Sequence, residues 1–486
     1  MMAPVLFPSS SGEDLDSPPQ PAAETLPALL TTKRLIWLYF WLLLFEGALR
    51  KWILPGLSNP LLLIRDPIVI LIYVSAATAG AFPRNPFIVW IVGLGLLSIV
   101  VSELFGTGNL LVTLYGFRTS FLHLPLIFLI PNVFNKEDLE KMGKWLLITS
   151  LPMALLVLAQ FRAAPDAWIN NGAGGGVGGQ LEVGFGKIRP PGTFSFTAGL
   201  VTYVSMVAAV ALHTQMQKNA PQLKLATASL GAVAVMVGVS GSRAALGAVT
   251  LIVVAVAVIC LQKPAFFGRG IKLVVIGGAA YFALGFWSEF QQGIEIHQSR
   301  IEGGGGLKDG IIFRVLAGLI EPFYAVADAP FFGVGLGMGT NGASGLLYGK
   351  QVFDLGEGDW ERIVRESGPI LGFIYIGFRI AIVVELGRRA WAALKRDQPL
   401  PLLLFACAFP GVLVGQWGVP MLLGLAVFSA GLCLAASNAE LPIAAINPAS
   451  NEAELAATAR GVRGRSVYAD QLHGEIEDPD TARFGP

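Results

Sequence analysis

Long apolar stretches alternate with short polar segments over most of this chain. They predict membrane-spanning helices near residues 34–49, 60–80, 86–104, 118–134, 144–162, 193–213, 225–241, 244–262, 271–288, 365–386, 398–415 and 418–436. About 20 helical residues cross the roughly 30 Å hydrocarbon core of a bilayer. The pattern therefore predicts an all-α, polytopic membrane domain of about twelve transmembrane helices over residues 33–436.

The two ends of the chain differ from this domain. Residues 1–32 are rich in proline, serine and acidic residues, and they lack the basic and apolar regions of a signal peptide. Residues 437–486 are also polar and charged. We expect both segments to be disordered tails.

Two polar segments interrupt the apolar pattern, at about 163–192 and 288–364. The first contains the glycine run 172–179, which is typical either of a flexible linker or of close backbone approach to a ligand. The second is a long insert with four consecutive glycines at 303–306, the glycine-rich stretch 331–337 and an acidic run. We expect short amphipathic helices in the insert.

Basic residues in short loops indicate the orientation, because lysine and arginine accumulate on the cytoplasmic side. Lys33 and Arg34 precede the first predicted helix, and most other loop cations fall on the same side as these two. Both termini are therefore expected in the cytoplasm and both long polar segments on the outer face. Arg50 and Lys51 are the exception, and they indicate either a functional site or side chains that extend to lipid headgroups.

Composition narrows the chemistry. The 486 residues are 54% hydrophobic and 14% charged, whereas soluble domains have about 25% charged residues. The three cysteines, in apolar runs, are expected to serve packing, and the four histidines are too scattered for a metal cluster. No cofactor, resident metal or nucleic-acid partner is expected. The expected partner at this point is the lipid bilayer in which the chain folds.

Arginines and carboxylates at the predicted outer face are the candidate site residues. Arg243 lies in a short turn between two apolar helices, where it either anchors headgroups or binds an anion. Arg314, Glu321 and Asp328 are seven residues apart, which places them on one stripe of a helix. This stripe faces either a cavity or solvent, and Pro322 could interrupt the helix.

The acidic run precedes the tenth predicted helix. It contains Asp354, Glu357, Asp359 and Glu361, a pattern that usually indicates a solvated loop. One member held against arginines could instead be a general base.

Residues 65–67 (RDP) lie inside an apolar run, where such a pair is usually structural. Arginines bind phosphates bidentately, so the set suits an enzyme acting on a lipid-linked diphosphate or a transporter of an anion.

Several short motifs resemble the superfamily of O-antigen ligases and Wzy-type polysaccharide polymerases, membrane glycosyltransferases of the GT-C type. The motifs are RPPGTF at 189–194, SRA at 242–244, Arg314 followed by PFFGVG at 330–335, and ESGPILG at 366–372. Residues 45–52 (FEGALRKW) and the RDP at 65–67 are similar to an exopolysaccharide subgroup. Where the family has a histidine before the last motif, this chain has Glu357, and either this residue or Asp359 or Glu361 would replace the histidine.

The resemblance implies an enzyme of a bacterial inner membrane whose active site faces the periplasm. It would polymerise oligosaccharide units linked to undecaprenyl diphosphate, without a metal, during exopolysaccharide biosynthesis. Arg243 and Arg314 would hold the diphosphate and Glu357 would be the base. The expected substrate-binding residues are Arg189, Glu321, Arg50, Lys51, Asp359 and Glu361. Other polysaccharide assembly and export proteins would be partners, and an O-antigen-type ligase, a transporter or flippase of lipid-linked sugars, and a membrane scaffold remain alternatives.

Overall fold

Long helices account for nearly all of the computed structural model. It describes residues 25–106, 108–176, 179–218, 220–302, 313–340, 342, 347 and 358–439. The described α-helices are α1 (Thr25–Ala48), α2 (Ser58–Leu61), α3 (Arg65–Thr78), α4 (Pro86–Phe105), α5 (Leu110–Phe117), α6 (Leu126–Val133), α7 (Lys136–Arg162), α8 (Thr197–Met216), α9 (Leu223–Val239), α10 (Arg243–Gln262), α11 (Phe267–Leu284), α12 (Ser288–Glu302), α13 (Phe313–Asp328), α14 (Asp359–Lys395), α15 (Leu400–Val414) and α16 (Pro420–Asn438).

These helices confirm the prediction of an all-α, polytopic membrane protein. Within the described residues, nine helices are long and apolar enough to cross a membrane, and the bent pair of α5 and α6 adds a tenth candidate. Two shorter apolar helices, α9 and α15, lie at the remaining predicted positions. Each of the twelve predicted spans therefore has a helix at its place in the chain.

Several helices extend beyond their predicted limits. The helix α1 begins at Thr25, so the last part of the predicted 1–32 tail is helical, and α7 begins at Lys136 rather than near residue 144. Apolar periodicity marks only the lipid-crossing part of a helix, whereas backbone hydrogen bonds continue into its polar ends. Asn135 shows this at α7, because its side chain accepts from the Asp138 backbone in a capping box. Residues 1–24 and 440–486 lie outside the described residues.

The bundle has two distinct ends. At one end Lys33 pairs with Asp138 at 2.6 Å. At the other, Arg162 pairs with Glu289 at 2.6 Å, which joins the last turn of α7 to the first turn of α12. We call the second the insert end, because it holds the 163–196 loop and the described parts of the insert.

The centre and the edge of the bundle differ in burial. Helix α16 is the most enclosed candidate span, followed by α8, whereas α11 has no buried residue in its apolar window. Helix α1 packs on α3, α7 and α8 pack on α9, and α13 packs on α14. Helix α16 is therefore central in the bundle and α11 is peripheral.

A break divides α14 into two arms. Gly368 has a φ of 77° and a ψ of 165°, which is not helical, and Pro369 follows it. Because the chain reverses here, Asp359 on the first arm reaches Arg379 on the second. The first arm therefore lies against the long membrane helix instead of extending it.

The 163–196 loop carries a small antiparallel hairpin. Strands β1 (Glu182–Gly184) and β2 (Lys187–Ile188) pair across a two-residue turn. Phe185 and Gly186, the central residues of that turn, both have positive φ. A two-residue hairpin turn of this kind matches the twist of the strands. The hairpin fixes the entry to the segment 189–195.

Candidate functional site

A buried charge cluster lies at the insert end, between α1, α3 and α5. Arg65 donates from Nε to Glu46 Oε2 at 2.7 Å. Arg50 Nη1 lies 3.6 Å from the other oxygen, Glu46 Oε1. Arg118 donates from Nε to Asp66. Arg65 is 1% exposed and Arg118 is 7% exposed, so these charges lie inside the protein and not at its surface.

Arg50 and Lys51 are part of the protein interior. Arg50 donates from Nε to the carbonyl of Ser58 at 2.9 Å and from Nη1 to Ser195 Oγ at 3.1 Å. Lys51 donates from Nζ to the carbonyl of Gly192 at 2.6 Å. Both side chains are buried, so the alternative that they extend to lipid headgroups does not describe them. Lys51 binds instead the segment that the sequence singled out at 189–194, and Arg50 binds Ser195, the residue that follows it.

Arg189 stands between the hairpin and α8. Its backbone N–H donates to the carbonyl of Leu181 at 2.8 Å, and its carbonyl accepts from Thr197 Oγ1 at 3.1 Å. Its side chain is half-buried. Since Gly192 lies three residues further on, the structure brings the Arg189 segment and the Arg50–Lys51 turn together.

Arg243 begins α10 in a tight turn. Gly241 has a φ of 56°, which favours glycine. Arg243 donates from Nη1 to the carbonyl of Arg300 at 3.2 Å, and Arg300 donates from Nη1 to the carbonyl of Gly241. The two arginines therefore fasten the turn to α12. Gly241 also packs beside Val183 of the hairpin, so the hairpin touches this second arginine site.

An apolar groove extends from this second site between α8, α9, α10 and α11. Its volume is about 1120 Å³, above the roughly 300–1,000 Å³ that is usual for small-ligand sites. Leu246, Gly238, His297 and Ile301 line its insert end. Ile301 follows Arg300 directly, so the groove reaches the chain neighbour of one member of the arginine pair.

His297 and Glu289 on α12 differ in their electrostatics. Burial lowers the pKa of His297, although Nε2 hydrogen-bonds the carbonyl of Val237 at 3.0 Å, and the nearby Arg300 lowers it further. The imidazole is therefore neutral at pH 7. The hydrogen bond from Ser288 lowers the pKa of Glu289, and Arg162 acts in the same direction.

A second buried charge cluster lies where the two arms of α14 meet. Asp359 Oδ1 accepts from Arg362 Nε at 3.1 Å and Nη2 at 3.0 Å, and from the backbone N–H of Trp417 at 3.1 Å. Asp359 Oδ2 accepts from Arg379. Its two oxygens accept four hydrogen bonds, so the acidic run is not uniformly a solvated loop. The geometry favours an anchoring role for Asp359 over a base or a sugar ligand.

The glycine-rich stretch at 331–337 wraps around Glu366. The backbone N–H of Gly339 donates to Glu366 Oε1 at 2.8 Å, and that of Gly335 donates to the Glu366 carbonyl at 3.0 Å. Arg362 Nη1 donates to Glu366 Oε2 at 2.8 Å. Gly333, with φ of 76°, leaves no room for a Cβ beside the same carbonyl. Glycine is therefore required because two backbones meet here.

The other acidic candidates lie on α13 and on the first arm of α14. Glu361 Oε1 is 3.1 Å from Arg365, which also lies 4.0 Å from the exposed Asp328. The Glu321 carboxylate lies beside Gly358, since a Cβ there would be 2.8 Å from Oε2. Helix α13 continues through Pro322 without a break. Glu321 and Glu361 are therefore near the start of α14.

The side chains of two proposed catalytic residues, Arg314 and Glu357, lie outside the part of the chain that the structure describes. The backbone of Arg314 belongs to α13, and its side chain lies outside the described residues, as does all of Glu357 and Asp354. Gly358, which follows Glu357, is placed beside Glu321. Among the described residues, no group of three His, Cys, Asp or Glu side chains is arranged to hold a metal ion.

Three important arginines were missed by the motif analysis, namely Arg118, Arg362 and Arg379. Each is buried and bonded to a carboxylate. The available signal was a charged residue inside or beside an apolar helix, which marks a functional or structural centre by default.

No protein-family model matches the chain, and no curated protein matches it either.

Proposed function

We propose that the protein is a membrane glycosyltransferase acting on oligosaccharides carried by undecaprenyl diphosphate. The insert end would face the periplasm of a bacterial inner membrane. The observation that carries this proposal is the apolar groove of about 1120 Å³, whose lining includes Ile301, the chain neighbour of Arg300, to whose carbonyl Arg243 donates. A lipid with a long apolar chain and an anionic head needs this combination, and the motif resemblance points to the same class of substrate.

The donor would bind with its isoprenoid chain along the groove and its diphosphate at Arg243 and Arg314. The acceptor sugar hydroxyl attacks the anomeric carbon of the donor sugar. A new glycosidic bond forms while the bond from that carbon to the diphosphate oxygen breaks. The arginines compensate the negative charge that develops on the leaving diphosphate.

The proton of the acceptor hydroxyl goes to a carboxylate, for which we propose Glu357. Glu321 supports this proposal, because it carries a second carboxylate beside Gly358, the residue that follows Glu357 in the chain. Asp359 already accepts hydrogen bonds from two buried arginines and would fix the start of α14 rather than take the proton. The insert would close over the reacting groups, with its glycines permitting the movement.

Elongation of repeat units, as in exopolysaccharide biosynthesis, is the reaction we propose, and the test is reconstitution. The purified protein in lipid is given undecaprenyl-diphosphate-linked repeat units with a chelator present, and the products are sized. We expect longer lipid-linked glycans that Arg243→Ala and Arg314→Ala abolish. Losing a charged contact to the diphosphate costs about 2–5 kcal/mol, or roughly 30- to several-thousand-fold in rate. Arg162→Gln, which changes an exposed arginine at the same end, is the matched control.

Other results would assign a different function. Movement of the lipid-linked sugar across the bilayer without elongation would identify a transporter. Transfer only to a different, non-repeat acceptor would identify a ligase. Loss of product on adding chelator, restored by a divalent ion, would refute the metal-independent mechanism. Full activity of Arg243→Ala and Arg314→Ala would refute the proposed diphosphate site.

A further inference from the structure

The buried cluster in the N-terminal half carries more positive than negative charge. We call Arg50, Lys51, Arg65 and Arg118, with the carboxylates of Glu46 and Asp66, the N-terminal cluster. It contains four cationic side chains and two carboxylates, and none of the four cations is more than a tenth exposed. Even with Lys51 neutral, one positive charge has no carboxylate among the described residues. A buried charge without a counter-charge is strongly unfavourable, so the cluster is incomplete as it stands.

The free hydrogen-bonding capacity of the cluster lies on its arginines. Among the described residues, Nη1 and Nη2 of Arg65 and Nη1 of Arg118 are buried and have no hydrogen-bond partner. Arg65 is held by Nε to Glu46, and Arg118 by Nε to Asp66, so their remaining nitrogens are fixed in position. Buried guanidinium nitrogens require acceptors. The missing component is therefore an acceptor that also carries negative charge.

The position of the cluster indicates the kind of anion. Glu46 lies 13 residues along α1 from Lys33 at the opposite end, which is roughly 20 Å at 1.5 Å per residue. The cluster is thus displaced toward the insert end of the bundle, the end at which the head of an outer-leaflet lipid would lie. Arginine forks match phosphate oxygens in geometry.

The cluster also lies close to the insert. The Arg118 guanidinium stacks over the Tyr115 ring, 5.0 Å from its centroid. Gly342 of the insert packs directly against the same ring. Ser195, which Arg50 contacts, belongs to the segment that leads from Arg189 into α8. A ligand at the cluster would therefore lie close to Gly342 of the insert and to Ser195.

We infer that the N-terminal cluster binds the diphosphate head of a second lipid-linked glycan, the acceptor of the transfer. The assignment of this second lipid as the acceptor rests on the proposed function, because a polymerase must hold two lipid diphosphates at once. The Arg243–Arg300 site with its groove takes the donor, and the N-terminal cluster takes the acceptor. A ligase with a lipid acceptor of another kind, or a transporter, needs only one such site.

The test measures binding rather than sugar transfer. The full chain in lipid nanodiscs is titrated with sugar-free undecaprenyl diphosphate, and the bound lipid per protein is counted by native mass spectrometry. We expect two lipids on the wild type, and one each on Arg118→Gln and on Arg243→Gln, with at least tenfold weaker binding at the changed site. Arg388→Gln, an exposed arginine at the opposite end, should still bind two.

The outcomes separate this inference from the proposed function. A single lipid on the wild type, unaffected by Arg118→Gln, would overturn the second site, whatever polymer the enzyme makes. Two lipids with no polymer would support the site and refute the polymerase. Competition of inorganic diphosphate with the Arg118-dependent lipid supports recognition of the head group. If inorganic diphosphate binds at the N-terminal cluster and undecaprenyl diphosphate does not, the acceptor assignment would be overturned. If Arg118→Gln does not fold, Lys51→Gln and the wild-type count decide the question.

Discussion

Asp359 gives the sharpest test of the difference between an anchoring and a chemical role. Its two oxygens accept hydrogen bonds from Arg362, Arg379 and the backbone of Trp417, and its side chain is 1% exposed. Asp359→Asn keeps the shape but removes the negative charge. It also places an NH₂ group against a guanidinium, since only one side-chain oxygen remains.

The magnitude follows from burial. Arg379, with a side chain that is 0% exposed, loses its only carboxylate among the described residues, while Arg362 keeps Glu366. Breaking a buried ion pair from one side costs about 3–5 kcal/mol, because the other charge stays buried. Glu361 provides the comparison, as its pair with Arg365 is partly exposed. A surface pair of this spacing contributes about 0.3–0.5 kcal/mol.

Thermal unfolding in detergent, followed by a thiol-reactive dye, measures this difference. Cys407 and Cys433 are buried, free cysteines that become reactive when the helices separate. At a matched scan rate, Asp359→Asn should lower the apparent midpoint by several degrees, whereas Glu361→Gln should leave it nearly unchanged. An unchanged midpoint in Asp359→Asn together with loss of glycan elongation would refute the anchoring role and assign the carboxylate to the chemistry.

Two further predictions concern other parts of the insert end. Gly333→Ala forces a Cβ into the Glu366 carbonyl at a φ of 76°, which should cost about 1–3 kcal/mol or more; the same dye assay checks it. Gly278→Ala, in an open helical position, should be neutral or slightly stabilising, and equal effects of the two changes would contradict the reasoning. Folding lowers the pKa of His297 below its ordinary value of about 6.5. Below that pH the unfolded chain binds the proton more readily than the folded protein does, so the folded protein loses stability as the pH falls. As the pH falls below about 6.5, the melting midpoint of His297→Gln should fall less than that of the wild type. An equal fall in both proteins would exclude the histidine as the cause.

The fold was accessible from the sequence because the bilayer imposes a simple requirement. A helix that crosses the hydrocarbon must be apolar over its length, so each predicted span appears directly as an apolar run. The limits of α1, α7 and α14 were not accessible in the same way. Their polar ends are stabilised by caps and by contacts with other helices, and hydropathy does not record either.

The candidate site was accessible only in part. The distribution of basic residues singled out Arg50 and Lys51, and the structure places both in the N-terminal cluster. The sequence left the role of Asp359 open between a solvated loop and a base. Its neighbour Arg379 is 20 residues away in the chain, and the break at Gly368 brings the two together. Periodicity contains no information about such a reversal.

The sequence by itself therefore determined the solvent in which the chain folds, the order of its apolar helices, and the residue types available for chemistry. Tertiary structure decided which charges meet. Arg118 reaches Asp66 across 52 residues, and Arg50 reaches Ser195 across 145. The physical reason is that hydrophobicity acts on each segment separately, whereas a buried charge is stable only beside a partner that packing brings to it.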